Sequence, residues 1–272
     1  MTHQALGAPS AAPPPRNYER YFVPAIGLPV AQSLIRAASL RPGERVLDVG
    51  CGTGVIARLA AREVRPGGTV AGLDPNPGML GVAAAVVPSE LGIEWHQASA
   101  ESMPLPDGAF DVVLCQMALQ FVPDRAQALR EMHRVLADGG RIALNVPGPA
   151  GPPFELLIDA MARHIGNEAA GFVRTVFALH DEGELDALMD KAGFRDTRMR
   201  AETLELMLPP PADFLPQYIW STPLSGIVAG ASENARAAFE REVVAGWQRF
   251  VSGDGMRYRQ RIVTVTARAI RG

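Results

Sequence analysis

Residues 46–54, VLDVGCGTG, constrain this chain more than any other stretch. Val46, Leu47 and Val49 make a short apolar strand; Gly50-Cys51-Gly52-Thr53-Gly54 follows at once; and Val55, Ile56, Leu59 and Ala60 then recur with helical spacing. A strand, a run of glycines and a helix N-terminus present backbone N–H groups at the carboxyl edge of an open α/β sheet, where such sheets take up ligands. The glycines let a ligand lie against the main chain, which makes Gly50, Cys51 and Gly52 candidate binding residues. A second strand, Thr69–Leu73, ends in Asp74 about 20 residues further on, where a carboxylate meets the two hydroxyls of a ribose.

The glycine spacing argues against a dinucleotide. A pyrophosphate loop reads G-x-G-x-x-G, whereas this one is G-x-G-x-G, with Asp48 inside the end of the strand. An acid there repels a pyrophosphate and favours a ligand that carries a positive amino or sulfonium group. Together with GLDPNPGML downstream, VLDVGCGTG resembles the first two motifs of the class I S-adenosylmethionine-dependent methyltransferases. NYERYFVPAIG is similar to the corresponding run in a small-molecule bacterial branch of the ubiquinone/menaquinone type. The resemblance covers the chain from Tyr18 onward and is strongest over residues 46–144. It implies an α/β, doubly wound fold with a mostly parallel seven-stranded, Rossmann-like sheet whose last strand is inserted antiparallel. It also implies S-adenosylmethionine as cofactor and a small-molecule acceptor.

Further site residues follow from the resemblance. The segment carrying Tyr18 and Tyr21 is expected to fold over the cofactor, and Pro75 and Met79 to sandwich its adenine. The turn Ala98-Ser99-Ala100-Glu101 is expected at the adenine edge, where the family usually reads Asp-Ala-Glu. Ser99 in place of that Asp offers an acceptor without charge, so the adenine should rest mainly on the backbone of Ala98 to Ala100 and on apolar contacts. Gln116 closes the fourth strand beside the glycine loop, where its amide either meets cofactor or substrate or caps the next short helix.

Along the rest of the chain, residues 1–16 are Ala/Pro-rich and read as a disordered tail. Residues 17–148 read as the cofactor-binding core with an N-terminal helical cover interrupted at Pro24 and Pro29. Further strands are expected at 93–97, 110–114, 141–146, around 198–207 and at 258–269. Asp124 caps an amphipathic helix (Ala128, Leu129, Met132, Val135) that Asp138-Gly139-Gly140 should stop, with His133 on its exposed side. Residues 149–272 hold two helical insertions, about 149–180 and 210–253, plus the last strands. The insertions have no part in completing the sheet and are expected to cap the site. Their Phe154, Phe177, Phe214, Tyr218, Trp220 and Trp247 suit a pocket wall for a partly apolar acceptor, although most such residues are expected to be core of the cap itself. Gln120, His164 and Phe177 are assigned to substrate, and His164 and His180 are the base candidates if the acceptor atom needs one. The resemblance places a Trp shortly after the fifth strand, whereas this chain reads Asn145-Val146-Pro147-Gly148; a smaller, more polar wall admits a bulkier acceptor.

Charge is nearly balanced, 26 Lys+Arg against 29 Asp+Glu, which argues against a nucleic-acid or polybasic membrane partner. No apolar run approaches the roughly 20 residues of a spanning helix, and the N-terminus lacks a signal-peptide layout, so a cytoplasmic monomer or homodimer is expected. Cys51 and Cys115 read as reduced, packed thiols, and no metal motif is present. The function expected is in-line methyl transfer from S-adenosylmethionine to O, N or C of a small, partly apolar, specialised-metabolite acceptor. The alternative is the same fold binding that cofactor without methyl transfer, as a rearrangement catalyst or a binding module.

Overall fold

Apolar residues on both faces of the first strands dictate a sheet covered on two sides. The computed structural model describes Leu6 and residues 12–270. Eight strands are formed among them: β1 Arg45–Val49, β2 Thr69–Leu73, β3 Glu94–His96, β4 Phe110–Gln116, β5 Leu136–Pro147, β6 Phe194–Leu208, the two-residue β7 Val251–Ser252 and β8 Gly255–Ala269. Seven lie in the order β3-β2-β1-β4-β5-β8-β6, and β7 pairs with β8 beside this path. β1 runs parallel to β2 and to β4, β4 parallel to β5, and β8 antiparallel to β5, as expected for an inserted last strand. The strand order reverses between β1 and β4, which makes their carboxyl ends the crevice of the sheet.

The chain forms two compact units. One comprises Val30–Gly148, Leu179–Glu202 and the described residues from Arg261 onward. Its apolar core joins Leu47, Val113, Cys115, Leu144 and Val265 of the sheet to Leu129, Met132 and Val135 of the helix Arg125–Val135 and to Leu185 and Met189 of the helix Glu182–Lys191. Three helix starts in this unit are capped by side chains, Asp124 as expected. Asn76 accepts from the N–H of Gly78 at 2.8 Å, Asp124 from Gln127 at 2.9 Å and Asp181 from Glu184 at 2.8 Å. The stop after Val135 comes earlier than expected, because Leu136 is already extended as the first residue of β5. His133 is not surface decoration: its ring stands edge-on to Phe194 at 5.1 Å.

The other unit comprises the described residues up to Pro29 with Pro149–Ala178 and Thr203–Gln260. Most of the tail predicted over 1–16 lies outside the described residues. Within it, Leu6 is buried and donates its N–H to Glu240 at 3.1 Å, and Pro14–Asn17 is helical. A π-helical run, Tyr18–Gly27, carries the chain past Pro24 where a break was expected; the wider i→i+5 winding accommodates a residue without an N–H. Phe154 packs against Phe177 at 5.2 Å, Tyr218 at 5.4 Å and Tyr258 at 5.0 Å, while Phe214 packs on Trp247 at 5.6 Å. The aromatic residues of the insertions are therefore mostly core of this unit, since each insertion must bury an apolar face of its own. Among the described residues no helix is long and apolar enough to cross a membrane.

Candidate ligand site

The site is built from the carboxyl ends of β1, β2 and β4. After Val49 the chain turns through Gly50, Gly52 and Gly54 with φ of 69°, 54° and 82°, left-handed values that L side chains rarely adopt. Gly50 and Cys51 donate their N–H groups to the carbonyl of Leu73 at 2.8 and 3.1 Å, which stitches the loop to the end of β2. Gly54 is the N-cap of the helix Val55–Glu63 and has no side chain to cap it with. Asp48 takes over that task from inside β1, its carboxylate accepting from the N–H of Ala57 at 3.1 Å.

That placement revises the reading of Asp48 as an acid facing a cation. It is 1 % exposed, and burial, with the Asp74 charge nearby as a smaller cause, pushes its carboxyl up to about 8. Near neutral pH it is mostly a neutral acid that supports the loop from beneath. Asp74, 8 % exposed, is also raised by burial and sits at the loop's other side. One of its carboxylate oxygens accepts from Gly52 N–H and the other from Asn76 N–H, both at 2.9 Å. Each oxygen keeps a lone pair, so the carboxylate holds the loop and still has capacity for two hydroxyl donors.

The glycines answer to the protein as well as to a ligand. A Cβ on Gly50 lies 2.5 Å from Cβ of Ala118, and one on Gly54 lies 2.7 Å from the ring of Trp95. Gly72 of β2 is crowded by the same indole, at 2.5 Å. Sequence reasoning missed Trp95; its signal was the pair of small residues, Gly54 and Gly72, that leave room for a large ring.

Pro75 is exposed and Met79 half-buried in the first turn of the helix Pro77–Val86, next to Asp74 in the chain. Ala98 and Ala100 pack against the core after β3, and Ser99 between them is half-buried. The Ser99 hydroxyl donates to the Glu101 carboxylate at 2.7 Å and accepts the Glu101 N–H at 3.2 Å, so a charged group does stand behind it. Glu101 in turn accepts from the N–H of Asp124 at 2.8 Å. Restoring the acid usual in the resembling family puts two carboxylates side by side. Ser99→Asp is expected to lower stability by about 1 kcal/mol at pH 7 and by less at pH 4, read by urea denaturation. An equal loss at both pH values would rule out charge repulsion as its cause.

Gln116 is the last residue of β4, in register with Asn145 of β5. Gln120 is 2 % exposed, its amide N–H bonded to the carbonyl of Met117 at 2.9 Å. Cys51 and Cys115 are free, buried thiols; burial raises both, Cys115 to about 12. In the other unit, Tyr18 stacks on Phe22 at 4.6 Å, and Tyr21, with Arg20 over its ring, lines a groove of about 780 Å³ with Met207, Gln217 and Arg257. Phe177 is 7 % exposed within the aromatic core. His164 bonds the Glu242 carboxylate at 2.7 Å, and Arg163 pairs with the same group, which ties the helix Pro152–His164 to the helix Glu233–Trp247. Among the described residues no group of three or more His, Cys, Asp or Glu is placed to hold a metal.

Comparison with known proteins bears on the whole of this arrangement. A family described as methyltransferase domain matches residues 47–144, the stretch from β1 through β5. Nocamycin O-methyltransferase of Saccharothrix syringae is 31% identical over 256 residues, 88% of this chain and 90% of that protein. A ubiquinone/menaquinone biosynthesis C-methyltransferase UbiE of Vibrio campbellii is 34% identical over 179 residues, 60% of this chain and 69% of that protein. The crystal structure of YcgJ from Bacillus subtilis superposes with a TM-score of 0.61 at 19% identity, covering 89% of this chain and 99% of that one, a likeness of fold.

Proposed function

The chain belongs to the class I S-adenosylmethionine-dependent small-molecule methyltransferases, and from that premise we propose that it transfers the methyl group to an oxygen of a small, partly apolar acceptor. Support for oxygen comes from the similarity to an O-methyltransferase, which extends over 88% of this chain and 90% of that protein. The observation that carries the cofactor site is the loop from Gly50 to Gly54, fixed in left-handed backbone by Leu73 and Asp74 with lone pairs of Asp74 to spare. The residues fit the cofactor: a glycine main chain for close approach, a carboxylate for the ribose, Pro75 and Met79 as apolar faces for the adenine, and backbone groups at Ala98 to Ala100 for its edge.

S-adenosylmethionine bound there supplies a methyl group on a sulfonium, an activated donor. The chain's share of the work is then positioning. Asp74 and the glycine loop would hold the donor, Gln116 would stand at the mouth of the crevice, and Gln120 would orient the acceptor toward the donor and away from water. A base is needed only where the acceptor oxygen keeps its proton as bound. His164 is assigned here to tying two helices together rather than to that role, because Glu242 already engages its ring.

The experiment is incubation with methyl-labelled S-adenosylmethionine and hydroxylated aromatic acceptors, scored by label in the organic phase. Tight cofactor binding with no transfer to any acceptor favours the non-transferring alternative. Asp74→Ala removes an acceptor from two ribose hydroxyls and releases the N–H of Gly52, so cofactor affinity should fall by about 1 to 3 kcal/mol, roughly fivefold to 150-fold. Calorimetry that finds unchanged affinity removes the ribose role.

A further inference from the structure

Met117, immediately after β4, has φ of 46°, a strained conformation for a residue with a side chain. Two buried amides hold it there. Its N–H donates to the carbonyl oxygen of Asn145 at 2.9 Å and to Asn145 Oδ1 at 3.2 Å, and its carbonyl accepts from Gln120 Nε2 at 2.9 Å. These bonds also fix which way each amide points: Oδ1 of Asn145 must face an N–H, and the NH2 of Gln120 must face a carbonyl.

The far atoms of the two amides are then left over. Asn145 Nδ2 and Gln120 Oε1 are buried, in residues 0% and 2% exposed, and have no hydrogen-bonding partner among the described residues. Thr264 stands directly opposite Asn145 across the β5–β8 pair, 5% exposed, and its hydroxyl has no partner among the described residues either. Residues directly opposed in an antiparallel pair share one face of the sheet, with Cβ atoms about 5 Å apart. Their neighbours Leu144, Val146, Val263 and Val265 alternate onto the other face and into the apolar core. The result is a neutral polar cluster at the carboxyl end of β4, beside the strained residue that follows the crevice strand. A buried polar atom without a partner costs about 1 to 3 kcal/mol, and three around one residue are not what a sheet needs for its own sake.

We propose that Asn145 and Thr264, together with Gln120, bind the oxygenated end of the methyl acceptor: one oxygen accepts from Asn145 Nδ2 and from the Thr264 hydroxyl, and a hydroxyl proton goes to Gln120 Oε1. This rests on the methyl-transfer reading above, in which only Gln120 had a part. None of the three side chains is charged, so the group recognised is a neutral alcohol, phenol, enol or ketone rather than an ammonium or a carboxylate. Met117 is a positioning residue, since it touches the acceptor only through the amides it orients.

The test uses the full chain in thermal-shift experiments with S-adenosylhomocysteine and, as probe, resorcinol, a small neutral molecule with two hydroxyls. Resorcinol is expected to raise the Tm of the loaded protein, and m-xylene, similar in shape but without oxygen, to leave it unchanged. Thr264→Val and Asn145→Asp, which keeps an acceptor for Met117 N–H, should each bind resorcinol about tenfold more weakly while keeping the shift with S-adenosylhomocysteine. Thr264→Val alone should melt no lower than the wild type, because it deletes a hydroxyl without a partner. A Thr264→Val protein that melts several degrees lower overturns the proposal, as the hydroxyl then serves the fold through a structural water. With the S-adenosylhomocysteine shift intact, absence of a resorcinol shift in the wild type, or a shift in both variants as large as that of the wild type, overturns this inference alone. Absence of the S-adenosylhomocysteine shift in the wild type overturns the methyl-transfer reading beneath it.

Discussion

Replacing Gly50 by alanine is expected to destabilise the protein by about 3 kcal/mol and to bring S-adenosylmethionine binding below detection. Two penalties add. At φ of 69° an alanine costs about 1 kcal/mol in backbone strain alone. Its Cβ then lies 2.5 Å from Cβ of Ala118, far inside the roughly 3.5 to 4 Å of normal carbon contact, an overlap that costs about 1 to 3 kcal/mol. Neither side can yield cheaply. Gly50 N–H is bonded to Leu73 at 2.8 Å, and Ala118 follows Met117, whose peptide groups are held by Asn145 and Gln120. Gly81, in the helix Pro77–Val86, is the control, because a Cβ added there meets nothing within 4 Å. Gly81→Ala should be neutral or slightly stabilising, by up to about 1 kcal/mol. Urea denaturation of both variants decides it: if Gly50→Ala unfolds at the same midpoint as Gly81→Ala, the strand ends do not meet as described.

The features legible in the sequence are those whose cause is local. The glycine loop, Asp74 at the end of β2, the cap at Asp124 and the apolar strands each announce themselves within a few residues, because backbone conformation and capping are decided at that range. The doubly wound sheet and its antiparallel last strand were legible through the resemblance. The features that escaped depend on what another segment brings. Asp48 looked like a charge for a ligand because its strand position shows nothing of the helix N-terminus it caps. Ser99 looked like a lost charge until Glu101 was seen to hold its hydroxyl. Asn145 and Thr264 meet only through the β5–β8 register, and neither carries a local mark. Composition alone leaves Phe154, Tyr218 and Trp247 open between pocket wall and cap core, and it is the apolar core of their own unit that large rings fill first.

Above pH 5 the stability of the protein should fall as pH rises, and Asp48 should be the main reason. Its carboxyl is raised from 3.8 to about 8 in the folded state, chiefly by burial. Below pH 4 folded and unfolded chains both carry the proton, so the group contributes nothing. Between about pH 4 and 8 the native state keeps a proton that the unfolded chain has released, which makes stability decrease with pH by up to about 1.4 kcal/mol per unit. Above 8 both have lost it, and the full penalty stays. Glu44, Asp111 and Glu131 are lowered by Arg141, Arg45 and Arg134, so their contribution has the opposite sign and is lost only as pH falls through the acid range. The Cys51 and Cys115 thiols are raised too, but they begin to weigh only near the ordinary thiol value of 9.0. Asp74, raised in the same direction as Asp48, adds to the slope with a smaller share, since it accepts two backbone N–H bonds where Asp48 accepts one. Across the window from pH 6 to 8.5 the buried acids are expected to contribute a loss of about 3 kcal/mol in urea denaturation. Asp48→Asn keeps the shape and an oxygen for Ala57 N–H but has no proton to lose. That variant should match the wild type near pH 4, already exceed it at pH 6, exceed it by more at pH 8.5 and show most of the slope removed. An unchanged slope in Asp48→Asn would mean that the acid beneath the loop is ionised throughout, and that the loop rests on a charge after all.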